Sequence, residues 1–150
     1  MELSEEELRW AGETIKKTGL FTTCSDDEMR QLLSGLAKKH YHTGQTILFQ
    51  GEISNCLSLV ESGLVSIWIR KGKEKNKVAE LGPNSFFGEI SLLTPRAATA
   101  TVKAENDTEI VFLPGEIVQA IIAHNPVLSE IIHKKIDERL QSQEKTTESK

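Results

Sequence analysis

Cysteine is scarce in this chain: Cys24 and Cys56 are the only two, far apart and without ligand-like spacing. That argues against a disulfide framework or a cysteine-built metal site, and both read as ordinary small residues. Aromatic residues make up only 5%, and Trp10 and Trp68 are most simply packing residues. No apolar run reaches the roughly 18 residues that a membrane-spanning helix needs. Positive charge is not in excess either. With 18 Lys and Arg against 22 Asp and Glu, the net charge of −4 argues against a general affinity for nucleic acid or anionic lipid. The acidic opening (Glu2, Glu5, Glu6, Glu7) is the opposite of a signal peptide's basic start. No Ser–His–acid or Cys–His arrangement is supported by spacing, and there is no Walker-type glycine–lysine loop, so an enzyme is not expected. What remains is a cytoplasmic module: 150 residues with 38% hydrophobic content are ample for one domain with its own core.

Taken in order, the chain predicts a helical segment over residues 1–36. Ser4 with Glu7 makes a capping box, with Leu8, Ala11 and Ile15 as an apolar stripe and Gly19 as a stop. Leu20 and Phe21 form an apolar plug. Ser25 with Glu28 starts a second helix, to about Leu36, with Met29, Leu32, Leu33 and Leu36 at helical spacing. From 37 to 113 the pattern changes to about eight short strands separated by glycine turns, which suggests a sandwich or jelly roll. Residues 114–141 return to helix: Pro114 can open one at its first position, and Asn125 caps a last one whose stripe is Leu128, Ile132, Ile136 and Leu140. The polar residues 142–150 read as a disordered tail.

The stretch of most chemical interest is 86–102, a short helical turn between strand-like segments. Gly88 gives backbone freedom and close approach, Leu92 and Leu93 anchor the turn, and Glu89 is the one acid inside it. Arg96 follows among small residues, and Ala98, Ala100 and Val102 alternate with Thr99, Thr101 and Lys103 as in a strand that begins at Ala98. The first turn of a helix offers N–H groups to an anion. An arginine fork grips a phosphate with two parallel bonds, and a nearby carboxylate accepts from a sugar hydroxyl. These parts suit a small sugar phosphate.

On Phe87-Gly88-Glu89, Leu92-Leu93, an Arg, and the closing Ala100-Thr101-Val102-Lys103-Ala104, the stretch resembles the phosphate-binding cassette of the cyclic nucleotide-binding domain family, known from channels, kinases and a catabolite activator. Gly44, Gly51, Gly63, Gly82 and Gly88 fall where that family places its turn glycines. The resemblance implies an α+β domain, an antiparallel β roll (a double-stranded β-helix, or jelly roll) flanked by N-terminal and C-terminal helices. It implies a ligand, cAMP or cGMP, and no other cofactor. The implied ligand-binding set is Phe87, Gly88, Glu89, Ile90, Ser91, Arg96, Ala97, Ala98, Thr99 and Ala100, with Glu89 on the ribose 2′-hydroxyl and an Arg on the phosphate. The family's last helix folds over the base as a lid, which points to Ile132, Ile136, Arg139 and Leu140. Equally, that stripe packs on the roll or on a partner helix.

One departure matters. Laid on the family pattern without gaps, the phosphate Arg position holds Ala98, and Arg96 falls two residues early. Alternatively the cassette loop is two residues shorter and the following stretch absorbs two more. The ungapped reading needs no compensating change and is preferred. It puts Thr99 where some relatives carry Thr and favour cGMP; the gapped reading puts Ala97 there, as in cAMP-preferring relatives. Two main readings follow: a nucleotide-sensing regulatory module that moves its terminal helices against an effector domain, channel or kinase partner, or a same-fold protein-interaction domain whose pocket has degenerated. A transcription-regulator sensor half is a third, with only a polar tail after the lid helix. A cupin-like metal enzyme is a distant fourth. His40 and His42 share a strand face, but Gln45-Thr46-Ile47 supplies no following Glu, so they read as structural or exposed and no metal is expected.

Overall fold

Both N-terminal helices begin on the capping boxes that the sequence predicts. In α1 (Glu5–Lys17), Glu7 N donates to Ser4 Oγ at 3.1 Å while Ser4 N donates to the Glu7 carboxylate at 3.0 Å. Ser25 and Glu28 repeat the exchange at the start of α2 (Asp26–Ser34). Each box satisfies two backbone donors that the helix itself leaves unpaired. Helix α1 stops at Gly19, whose φ of 75° reverses the chain, and Leu20 and Phe21 then plunge into the core. Helix α2 stops at Ser34, two residues short of the expected Leu36, with Gly35 as its cap. The computed structural model describes residues 3–148.

Ten strands follow where about eight were expected: β1 (Ala37–Tyr41), β2 (Thr46–Leu48), β3 (Ile53–Ser54), β4 (Cys56–Ser62), β5 (Val65–Lys71), β6 (Glu74–Leu81), β7 (Phe86–Phe87), β8 (Arg96–Ala97), β9 (Thr101–Ala104) and β10 (Thr108–Pro114). They form two four-stranded sheets, ordered β1-β10-β4-β7 and β2-β9-β5-β6, with β3-β8 as a separate two-stranded pair. Every pairing is antiparallel. The extra strands are two-residue pieces around the cassette, too short for periodicity to reveal.

Strand β10 shows how the layers are arranged. Ile110 belongs to the core inside the roll with Tyr41, Val60, Val65, Val102 and Ala104. Val111 and Leu113, on its other face, join a second core with Ala11, Ile15, Leu20 and Leu32 from the N-terminal segment. The first sheet is therefore covered on both faces, by the second sheet on one and by helices on the other. Both cysteines are free, and burial pushes the Cys24 thiol up to about 11. Lys38 ties helix to sheet, lying 2.5 Å from Glu7 of α1 and 3.1 Å from Glu61 of β4. Its hydrogen bond holds the Glu7 carboxyl down at about 2, whereas burial raises Glu61.

The C-terminal helices are α3 (Gly115–Ile122) and α4 (Pro126–Glu148). Pro114 stands just before α3 and not in its first position. Asn125 caps α4, accepting from Leu128 N at 3.1 Å, and its amide donates to Glu28 of α2 at 2.9 Å. Helix α4 continues to Glu148, through residues whose polarity had suggested a disordered tail. Gln, Glu and Lys propagate a helix well once a packed segment has nucleated it. Residues 149–150 lie outside the described residues.

Gly115 is where the roll meets the helices. Its N–H donates to Asn55 O at 2.8 Å, and an added Cβ would sit 2.2 Å from Leu92 O and 2.6 Å from Asn55 O. Neither backbone carbonyl can swing away as a side chain would. Gly115→Ala is expected to cost about 1–3 kcal/mol as an overpacking strain, read as a lower denaturant midpoint at unchanged slope. A midpoint equal to the parent's would show that α3 does not need this close approach.

Candidate functional site

The cassette is built around a turn that only glycine opens comfortably. Gly88 has φ of 86°, and a Cβ there would lie 2.7 Å from Cys56 O on β4. The 3₁₀ turn Glu89–Ser91 follows, with Ser91 Oγ donating back to Gly88 O at 3.0 Å. The turn has two faces. Leu92 is wholly buried and Leu93 nearly so, both in the helical core, while half-buried Glu89 faces a cavity.

That cavity is about 610 Å³, within the ~300–1,000 Å³ of small-molecule sites. Phe87–Ser91 and Arg96–Ala100, the whole expected ligand set, line it. Among the described residues, Glu89 and Arg96 are its only charged lining side chains. Arg96 is exposed and lies in β8, paired with Ser54 of β3. The strand expected to begin at Ala98 begins at Thr101 instead. Residues 98–100 form a break between β8 and β9, in which Ala98 exchanges backbone hydrogen bonds of 2.8 Å with Gly51 and Glu52. Alternation of Ala and Thr signalled a strand, but pairing with the tight Gly51 turn wins. Two additional residues after the arginine have a place in this break.

The model of the cyclic nucleotide-binding domain matches residues 38–125, which hold the roll and the cassette. The chain belongs to this family. It is similar to the cyclic AMP receptor protein of Thermus thermophilus, 32% identical over 127 residues that cover 84% of this chain and 59% of the relative. A cAMP-dependent protein kinase regulatory subunit of Yarrowia lipolytica is 35% identical over 99 residues, 65% of this chain and 25% of the subunit. The crystal structure of the Thermus thermophilus catabolite activator protein superposes with a TM-score of 0.67 at 30% identity, covering 86% of this chain and 61% of that one. The domain thus spans less than two thirds of the length of these relatives.

Around the cassette, the structure separates the four residues expected in a lid. Leu140 lines the cavity. Ile132 and Ile136 do not: they are buried in the helical core. Arg139 donates to Thr18 O and Lys135 to Gly19 O, where their charge complements the C-terminal end of α1. An apolar stripe shows which face of a helix is buried, not what covers it. The cavity wall made by Leu48, Ile67, Ala79, Leu81 and Val102 was not expected from the sequence. Their alternation on strands was visible, but only the pairing of β9 with β2 and β5, and of β5 with β6, brings them together.

Gly88→Ala should lose about 1–3 kcal/mol, since left-handed backbone is strained for any side chain with a Cβ. The loss is read by thermal unfolding without ligand. An unchanged midpoint would mean that the turn can reopen in another way.

Proposed function

We propose that the domain binds a cyclic mononucleotide, with Arg96 on the cyclic phosphate and Glu89 on the ribose 2′-hydroxyl. The observation that carries this reading is that one guanidinium and one carboxylate line the same otherwise uncharged cavity. The phosphate's negative charge needs the first and the donating hydroxyl suits the second. The break at 98–100 supports the shorter-loop register over the ungapped one that the sequence favours, because it accommodates the residues added after Arg96. In this register the reading of a degenerate pocket, which rests on Ala98 replacing the arginine, loses its basis. Ala97 then stands at the position that in the gapped alignment resembles cAMP-preferring relatives, and cAMP is the expected ligand.

The domain acts as a binder and not a catalyst. Ser54, Ser91 and Thr99 bring hydroxyls to the cavity, but among the described residues no His, Cys or Lys lines it to activate one. Output passes through the helices. Gln119 of α3 donates to Leu93 O of the cassette at 2.6 Å, Gly115 abuts Leu92 O, and Leu140 of α4 faces the cavity. Nucleotide shifts these helices to the extent that it binds one of their arrangements better than the other. The effector belongs to whatever protein the domain serves, such as a channel, a kinase or a transcription regulator.

Arg96→Ala should cost about 2–5 kcal/mol of cAMP binding, a loss of about 30-fold to several thousandfold. Glu89→Ala should cost about 1.5–3 kcal/mol. Competition against a fluorescent cAMP analogue gives both numbers, and thermal unfolding checks that the variants remain folded. Parental affinity in both variants would remove these residues from the site; tighter binding of cGMP than of cAMP would refute the assignment of Ala97.

A further inference from the structure

The roll carries a second group of polar side chains, on the other edge of the sheet that holds β7. Strand β1 is that edge, and its register on β10 sets His40 opposite Glu109 and Tyr41 opposite Thr108. Tyr41 and Thr108 are buried. By the two-residue alternation of strands, His40 and His42 share the outer face, with Glu109 and Asp107 across from them. Ligand atoms of His40, His42 and Asp107 all lie within 4.8 Å of one another. The imidazole rings are 4.8 Å apart at 72°, and His42 Nδ1 lies 3.8 Å from Asp107 Oδ1.

Glu109 adds the feature that separates this array from a row of surface charges. Its Oε1 is 2.7 Å from His40 Nδ1, so a proton held on Nδ1 leaves the Nε2 lone pair free for a cation. Carboxylates commonly orient a metal-bound histidine in this way. The other oxygen, Oε2, is buried without a hydrogen-bond partner.

We propose that His40, His42 and Asp107 form a binding site for a late first-row divalent cation such as Zn²⁺, with Glu109 as the positioning residue behind His40. Two imidazoles and one carboxylate are nitrogen and oxygen donors of the kind that zinc accepts, and a fourth, solvent-facing position stays open to water. Bond lengths of about 2.0–2.1 Å place tetrahedral ligands roughly 3.4 Å apart. His42 and Asp107 are largely exposed at 75% and 69%, so they can close that gap by rotation without disturbing the core. The two carboxylates balance the charge of a dication. Coordination would clip edge strand β1 to β10, and a cation that binds the folded chain alone stabilises it. The site is independent of the nucleotide cavity, with which it shares no residue.

Gln45-Thr46-Ile47 supplies no third ligand just downstream. Folding brings one, Asp107, from the turn that leads into β10.

The test is ZnCl₂ added to the metal-free full chain, followed by calorimetry and by thermal unfolding. One Zn²⁺ per chain and a raised Tm are expected, with MgCl₂ giving no shift. His42→Ala and Asp107→Asn should each abolish the effect, and Glu109→Gln should weaken zinc affinity about 10- to 100-fold. A Cys24→Ser/Cys56→Ser double variant should bind as the parent does. The proposal is overturned by the absence of a zinc effect on the parent, by an equal effect of Mg²⁺, by an effect that survives His42→Ala and Asp107→Asn, or by its loss in the cysteine double variant.

Discussion

The arrangement of this domain depends on the burial of Leu92 and Leu93. They sit at the end of the cassette turn, in the same core as Val118 of α3 and Ile132 and Ile136 of α4. Burying a leucine side chain contributes about 1.5–3 kcal/mol, and that contribution fixes the turn by its apolar side. The opposite side, with Glu89, is thereby presented to the cavity. One short segment is thus the floor of the polar site and part of the core that holds the C-terminal helices. On the proposed reading, a ligand held by Glu89 acts on the packing of α3 and α4.

Glycine makes that double role possible at both ends. At Gly88 the chain turns in the left-handed region beside Cys56 O, and at Gly115 helix α3 begins in contact with Leu92 O. Interiors packed at crystal-like density do not deform gradually. Gly115, the Gln119–Leu93 hydrogen bond and the Arg139 and Lys135 contacts tie the C-terminal helices to the cassette and to the end of α1.

Much of this was legible in the amino-acid sequence, and the limits have physical causes. Ser4 with Glu7 and Ser25 with Glu28 are local motifs, complete within four residues, and both caps form as read. Phe87-Gly88-Glu89 and Leu92-Leu93 carry the family pattern, and the α+β roll follows from it. What sequence spacing could not supply is which distant segments meet. Ile132 and Ile136 have the stripe of a lid but are buried in the helical core, and the break at 98–100 depends on Gly51, far upstream. Asp107 reaches His42 only through the register of β1 on β10.

The central claim is that the cavity holding Glu89 and Arg96 is a working nucleotide site. A calorimetric titration of the unmodified domain with cAMP tests it most directly, alongside cGMP and 5′-AMP as a non-cyclic control. The account predicts micromolar, one-to-one binding of cAMP, with weaker binding of both comparison ligands. No heat and no thermal shift with millimolar cAMP would contradict it, and would leave a cyclic nucleotide-binding fold whose pocket no longer serves the ligand.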